Sequence, residues 1–160
     1  MQKFGTYKIL QKERLIIEYH SGNIGIEDFI NTKKIISSDN KYNSDYDVII
    51  DIRDIQLLFN QADIDKLIVF FKNYSPIVGN RKIAFLTKKP HHVVFTTLFS
   101  NGINDTNMNA EIFSTLKGAV GWIGNQNMNV KILNVIFEEL KKSPNTLYFI
   151  EKLNNSLTTE

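Results

Sequence analysis

The side chains that could move protons or bind a metal are the three histidines and the paired carboxylates. His91 and His92 are adjacent, so on a helix they point to different faces and lack the i, i+4 spacing of a helical metal site. Asp51 and Asp54 could form a carboxylate pair, but the sequence does not place them at a working distance. Cysteine is absent, which excludes thiolate nucleophiles and zinc–thiolate sites. We therefore expect no catalytic residues, no metal site and no cofactor, and the chain is not predicted to be an enzyme.

Two candidate binding residues follow a predicted buried strand, and a third lies at a predicted helix start. Arg53 and Asp54 come after an apolar run at residues 47–52, and ligands of open α/β sheets bind beyond the carboxyl ends of strands. The alternative is an exposed turn with a local ion pair. His91 lies where a helix begins, and a surface or capping histidine is the simpler interpretation. His20 lies at a strand end with no evident partner.

The elements that must position these residues alternate along the chain. Apolar residues at alternate positions, or in short continuous runs, predict strands, and apolar residues at i, i+3, i+4 and i+7 predict helices. The predicted strands are residues 7–10, 14–20, 47–52, 82–87 and 110–113, and residues 21–25 are expected to break the second strand. The predicted helices lie within residues 26–36, 60–74, 90–102, 115–123 and 133–142, and Leu147, Ile150 and Leu153 suggest a short final helix. Strands that alternate with helices indicate a mixed, mostly parallel sheet with one antiparallel hairpin.

Length and composition fit one α/β domain with a helical extension. The chain has 160 residues, of which 42% are hydrophobic and 22% charged, and its formal net charge is +2. The basic residues form no dense patch in the sequence, so nucleic-acid binding is not expected. No apolar run approaches the ~20 residues of a membrane span. We expect a domain at residues 1–124, a C-terminal helical extension at residues 125–160, and a cytoplasmic location. The apolar face of the extension must be covered by the domain itself or by a second copy, so the protein is a monomer or a homodimer.

Three strings resemble the SpoIIAA-like branch of the STAS superfamily, the fold of bacterial anti-sigma-factor antagonists. They are an Asp-apolar-Asp-x-Arg-Asp strand end at residues 47–54, the strand at residues 81–86, and a closing strand and helix at residues 112–122 that ends in Ala-x-x-Trp. The order and spacing of these strings carry the resemblance, which covers residues 7–124. The branch is also likened to CRAL-TRIO lipid-binding folds.

The resemblance implies a regulatory module that acts through protein contacts at the start of the helix after the Asp51 strand. Asn60 and Gln61 would face the partner there, although Asn60 is also a good helix cap. Antagonists that are switched by phosphorylation carry an Asp-Ser-(Ser/Thr)-Gly-like string at this place. This chain has Phe-Asn-Gln-Ala at residues 59–62 and no hydroxyl residue between Asp51 and Tyr74, so the phosphoswitch is expected to be missing. The alternative function is a carrier or sensor of a small apolar ligand, which requires an apolar cavity of a few hundred Å³.

Overall fold

A computed structural model describes residues 2–125 and 127–148. These residues form five strands and five α-helices, and the α/β fold class predicted above is confirmed. The strands are β1 (Phe4–Leu10), β2 (Leu15–Ile24), β3 (Asp47–Leu57), β4 (Arg81–Leu86) and β5 (Met108–Phe113). The helices are α1 (Ile26–Ser37), α2 (Gln61–Asn73), α3 (Pro90–Gly102), α4 (Leu116–Ile123) and α5 (Val130–Lys142), and a single 3₁₀ turn at Ser75–Ile77 follows α2.

The strands form one sheet in the order β1-β2-β3-β4-β5. β1 and β2 pair antiparallel, and the other three pairs are parallel. β1 and β5 begin three and two residues earlier than predicted, and β2 and β3 run past their predicted carboxyl ends. β2 continues through residues 21–24, where a break was expected, because a register shift between Tyr19 and Ser21 lets it stay paired with β3. β3 stays paired with β2 as far as Leu57, whereas its pairing with β4 ends at Asp51 opposite Leu86.

The sheet is covered on both faces. On the front face, Ile16, Ile50 and Phe85 pack with apolar side chains of α1, α2 and α3. On the back face, Ile17, Ile49 and Leu86 pack with α4 and α5. Adjacent residues of one strand therefore pack into opposite cores, because successive side chains of a strand point to opposite faces of the sheet. Strands with two buried faces explain the continuous apolar runs in the sequence.

Residues 127–148 pack against the same sheet. Leu133, Phe137 and Leu140 of α5 are buried in the back core. The segment after α5 then lies along the outer edge of β1, where the Thr146 amide donates to the Gly5 carbonyl oxygen at 3.2 Å. Leu147 is buried in the front core. The other two residues of the predicted final helix, Ile150 and Leu153, lie outside the described residues.

The division of the chain at residue 124 stays a prediction, and truncation tests it. A chain that ends at Asn125 loses the α5 side chains that cover Leu15, Ile17 and Tyr19, which are 0%, 0% and 7% exposed in the whole chain. Because exposed apolar patches drive association, we expect this variant to aggregate or to unfold at a lower temperature. Size-exclusion chromatography with light scattering and thermal unfolding provide the measurement.

A shorter truncation is the matched control. Removal of residues 149–160 keeps α5 and the contacts of Thr146 and Leu147, so the difference between the two truncated chains isolates what residues 126–148 contribute to stability. A variant ending at Asn125 that is monomeric and equally stable would show that α5 is dispensable.

Candidate functional site

The five residues predicted to face a partner or ligand lie at one edge of the sheet. β2 to β5 run in one direction, so their carboxyl ends meet there. Arg53 and Asp54 lie on the part of β3 that extends past β4, Asn60 and Gln61 lie at the start of α2, and His91 lies in the first turn of α3. The structure divides them into a pair on β3 and a group at the two helix starts.

Arg53 and Asp54 are strand residues, which corrects the expectation that they follow the strand in a turn. Arg53 Nε and Nη2 donate to the two carboxylate oxygens of Asp51 at 2.9 and 2.6 Å. Asp51 is fully buried, and its hydrogen bonds raise the pKa of the Arg53 guanidinium. Asp54 accepts from the Tyr19 hydroxyl at 2.8 Å, and burial together with Asp54 raises the pKa of Tyr19 to about 12. Both pairs therefore stabilise the extended end of β3.

The start of α2 is held by a reciprocal cap. The Asn60 side chain accepts from the Asp63 amide at 3.0 Å, and the Asp63 carboxylate accepts from the Asn60 amide at 2.9 Å. The Gln61 side chain donates to Asp65 at 3.1 Å. The two bonds between Asn60 and Asp63 confirm the capping interpretation of Asn60. The side chains of Asn60 and Gln61 are nevertheless both exposed to solvent.

The starts of α2 and α3 lie side by side. The rings of Phe59 and Phe95 are in edge-to-face contact with centroids 5.1 Å apart, which brings the segment before α2 against the first turns of α3. The residues that precede these two rings are apolar and exposed: Leu58 is 54% exposed and Val94 60%. We call the exposed residues of this region the edge surface: Leu58, Asn60, Gln61, His91 and Val94.

His92, and not His91, is the histidine with an unusual environment. Its side chain is fully buried, and Nδ1 lies 2.7 Å from the Thr87 hydroxyl. Burial, with the charges of His91 and Lys89, lowers the pKa of His92 to about 4. Thr87 Oγ1 also accepts from the Lys89 amide, so its own proton is available to His92 Nδ1. His92 is therefore neutral at pH 7.

A buried charged cluster lies under α1, far from the edge surface in sequence. Glu18 of β2 accepts from Lys33 of α1 at 2.6 and 2.7 Å, and both side chains are almost fully buried. His20 is part of this cluster, with Nε2 3.2 Å from Glu18 and Nδ1 3.2 Å from the Tyr148 hydroxyl, so the expectation of a strand-end histidine without a partner is wrong. Burial alone would raise the pKa of Glu18, but Lys33 and His20 hold it at about 2.

This cluster was missed because a sequence does not show which distant residue compensates a charge. A signal was nevertheless present. Glu18 interrupts the apolar run of β2, and Lys33 stands at a position of α1 where the apolar stripe predicts a hydrophobic residue. A charge at a position that the pattern buries requires an opposite charge nearby.

The described part of the chain shows neither a metal-ligating cluster nor a membrane-spanning helix. Within residues 2–125 and 127–148, no group of three or more His, Cys, Asp or Glu side chains is placed to hold a metal ion. The cavity under α1 has a volume of about 10 Å³. None of the helices in the described part of the chain has the length and hydropathy that a bilayer crossing needs.

Comparison with known proteins supports the fold. No family model matches the chain, and no curated protein matches it. A solved structure does match: an uncharacterised protein of the DUF3478 family from Shewanella loihica PV-4, described as having a SpoIIAA-like fold. The match has a TM-score of 0.52 and 15% sequence identity, and it covers 77% of this chain and 96% of the other. This chain has a SpoIIAA-like fold.

The SpoIIAA-like fold confirms the resemblance inferred from the three strings. It also gives the start of α2 its context, because α2 is the helix that follows the Asp51 strand. The string at residues 59–62 does stand at that helix start, with Asn60 as its cap. At 15% identity the match establishes the fold, and the role of the edge surface stays a prediction.

The buried His92 predicts a loss of stability in weak acid. A histidine whose pKa is about 4 in the folded chain and about 6.5 in the unfolded chain binds more protons when unfolded between these values. The contribution of His92 to the free energy of unfolding is therefore fully present above about pH 6.5, and it is lost as the pH falls towards 4. Between pH 7.5 and 5.0 the loss from this group is about 2 kcal/mol. Urea unfolding at the two pH values measures it.

His91 provides the matched control for His92. His92→Gln should reduce the difference in unfolding free energy between pH 7.5 and 5.0, because glutamine does not titrate. His91→Gln removes one of the two charges that help to lower the pKa of His92 but leaves its burial in place, so it should reduce that difference much less than His92→Gln does. Equal pH dependence in the two variants would contradict a buried neutral His92.

The Glu18–Lys33 pair predicts strong asymmetry between single and double substitution. Lys33→Met leaves a buried carboxylate with only His20 as a partner, so we expect a loss of about 3–5 kcal/mol. Glu18→Met combined with Lys33→Met removes both charges, and its cost should be much smaller. Urea unfolding of the single and double variants gives both numbers, and a double variant as unstable as Lys33→Met would refute the pairing.

Proposed function

We propose that this chain is a non-enzymatic, cytoplasmic regulatory module that binds a protein partner through the edge surface. The observation that carries the proposal is the composition of that surface. It combines two exposed apolar side chains, Leu58 and Val94, with the polar side chains of Asn60, Gln61 and His91. Apolar contacts framed by polar groups are typical of protein interfaces.

The local structure supports a surface that is formed before the partner arrives. The cap at Asn60 fixes the start of α2, and the ring contact between Phe59 and Phe95 fixes that start relative to α3. A surface held in this way loses little conformational entropy on binding. Arg53 and Asp54 lie at the same sheet edge, and we include them as candidates for its outer rim.

The same helix start argues against a phosphoswitch of the type that the resemblance implies. The segment from Asp51 to Tyr74 has no serine or threonine, so no such hydroxyl can accept a phosphate at the start of α2. The polar side chains there are that of Asn60, which caps the helix, and that of Gln61, which donates to Asp65. We propose that partner binding is regulated by some other means.

The alternative, a carrier of a small apolar ligand, has less support. Ligands of that class fill cavities of a few hundred Å³. The cavity in the front core has about 10 Å³. Three larger depressions among the described residues, of about 170, 320 and 340 Å³, lie at the surface of α3, β5 and α5. Native mass spectrometry of the protein purified gently from its own host separates the two functions, because a retained lipid and a retained protein differ in mass.

The protein-binding proposal is tested by substitution at the edge surface once a partner has been purified. Gln61→Arg places a long charged side chain on the edge surface, and it should weaken binding at least tenfold. Asn60→Asp keeps a capping oxygen while it adds a negative charge, so it should also weaken binding with little loss of helix stability. The dissociation constant is measured by calorimetry, and the fold by circular dichroism.

Gln11→Arg is the matched control. It makes the same substitution at an exposed residue between β1 and β2, at the opposite edge of the sheet. Binding should stay at the wild-type level in this variant. If Gln61→Arg and Gln11→Arg bind the partner equally well, the edge surface is not the interface.

A further inference from the structure

Arg81 is a buried cation with an unfinished set of hydrogen bonds. It lies at the start of β4 and is 4% exposed. Nη1 donates to the Tyr42 hydroxyl at 3.0 Å, and Nη2 donates to the Ile77 carbonyl oxygen at 3.1 Å. Nε is buried and has no hydrogen-bond partner among the described residues. A buried donor without a partner is costly, so its environment has to offer one.

No carboxylate supplies that partner. Among the described residues, none lies within salt-bridge distance of Arg81. Glu18 lines the same cavity as Arg81, and both of its carboxylate oxygens already accept from Lys33. Arg81 and Lys33 are thus two buried cations near one buried anion.

A small cavity lies where these groups meet. Its walls include Glu18, Lys33, Tyr42 and Arg81, and the remaining lining is apolar. The volume is about 10 Å³, which is close to the minimum that one water molecule requires. A larger organic ligand does not fit, and a dry cavity is expected only where the walls are apolar throughout.

We propose that this cavity is a binding site for a single water molecule, which accepts a hydrogen bond from Arg81 Nε. The protons of the water then point towards Glu18, the carboxylate in the same wall. A small anion is the other candidate occupant of this size. A water and a small anion can both accept from the guanidinium, but only water can also donate to the Glu18 carboxylate in the same wall.

Such a water would join three elements of the front layer. Arg81 belongs to β4, Glu18 to β2 and Lys33 to α1, while Tyr42 lies in the loop that follows α1. The ion pair holds α1 to β2, and the Tyr42 contact holds the loop to β4. The water completes the connection between these two contacts through the interior.

The experiment is a high-resolution crystal structure of the full chain, grown without halides and then repeated after a bromide soak. We expect a water peak at hydrogen-bond distance from Arg81 Nε, about 3 Å, and no anomalous bromide peak in the cavity. A cavity without density at that distance overturns the proposal. An anomalous bromide peak there also overturns it, because the site would then select an anion.

A cavity-filling variant tests the same site in solution. Val48 lines the cavity, so Val48→Ile adds a methyl group that should expel the water. Oxygen-17 relaxation dispersion, which counts long-lived internal waters, should report one fewer in this variant, and the melting temperature should fall. Val69→Ile is the matched control because Val69 is 58% exposed on α2, and both quantities should stay at the wild-type value. An unchanged water count in Val48→Ile counts against the site, and the wild-type crystals decide the question even if this variant does not fold.

Discussion

The requirement that the central strands be buried on both faces governs the rest of the structure. Ile49 and Ile50 are neighbours in β3 and are 0% and 1% exposed, so apolar layers must lie on both sides of the sheet. Three helices supply the front layer, but α4 alone has only eight residues. The helix α5 completes the back layer over β1 and β2, which explains why the chain continues beyond the closing strand and helix with an amphipathic segment.

Burial on both faces also determines how the charged residues are arranged. A charge that points into either layer needs a partner. Arg81 donates to the Tyr42 hydroxyl and the Ile77 carbonyl oxygen, whereas the carboxylates of Asp51 and Glu18 form ion pairs. Asp51 is paired with Arg53 on its own strand, whereas Glu18 is paired across layers with Lys33 of α1. The first pair stabilises a strand end. The second selects the position in which α1 docks, because a shift of one helical residue would leave two uncompensated charges in the core.

The order of strands and helices was predictable, since it depends on periodicity within short windows. The limits of β2 and β3 were not, because polar residues such as Ser21 and Arg53 look like the end of a strand when each strand is considered alone. They remain in the strands because β2 and β3 pair with each other, and a register shift absorbs the mismatch. His20 was misjudged for the same reason: its partners, Glu18 and Tyr148, include one that is 128 residues away. The predicted site residues do gather at one sheet edge, since parallel strands bring their carboxyl ends together.

The edge surface differs from the buried clusters in the kind of constraint that acts on it. Its polar side chains are bonded locally: Asn60 caps its own helix, and Gln61 bonds one turn further along. These local contacts fix only the start of α2, while Ile64, Leu67 and Phe71 hold the helix to the core. Substitutions at the exposed atoms therefore cost the fold little. Leu58 and Val94 contribute nothing to the cores while they are exposed, and covering them releases water from apolar surface. A partner that covers both would therefore gain free energy at a surface whose shape is already set by the contact between Phe59 and Phe95.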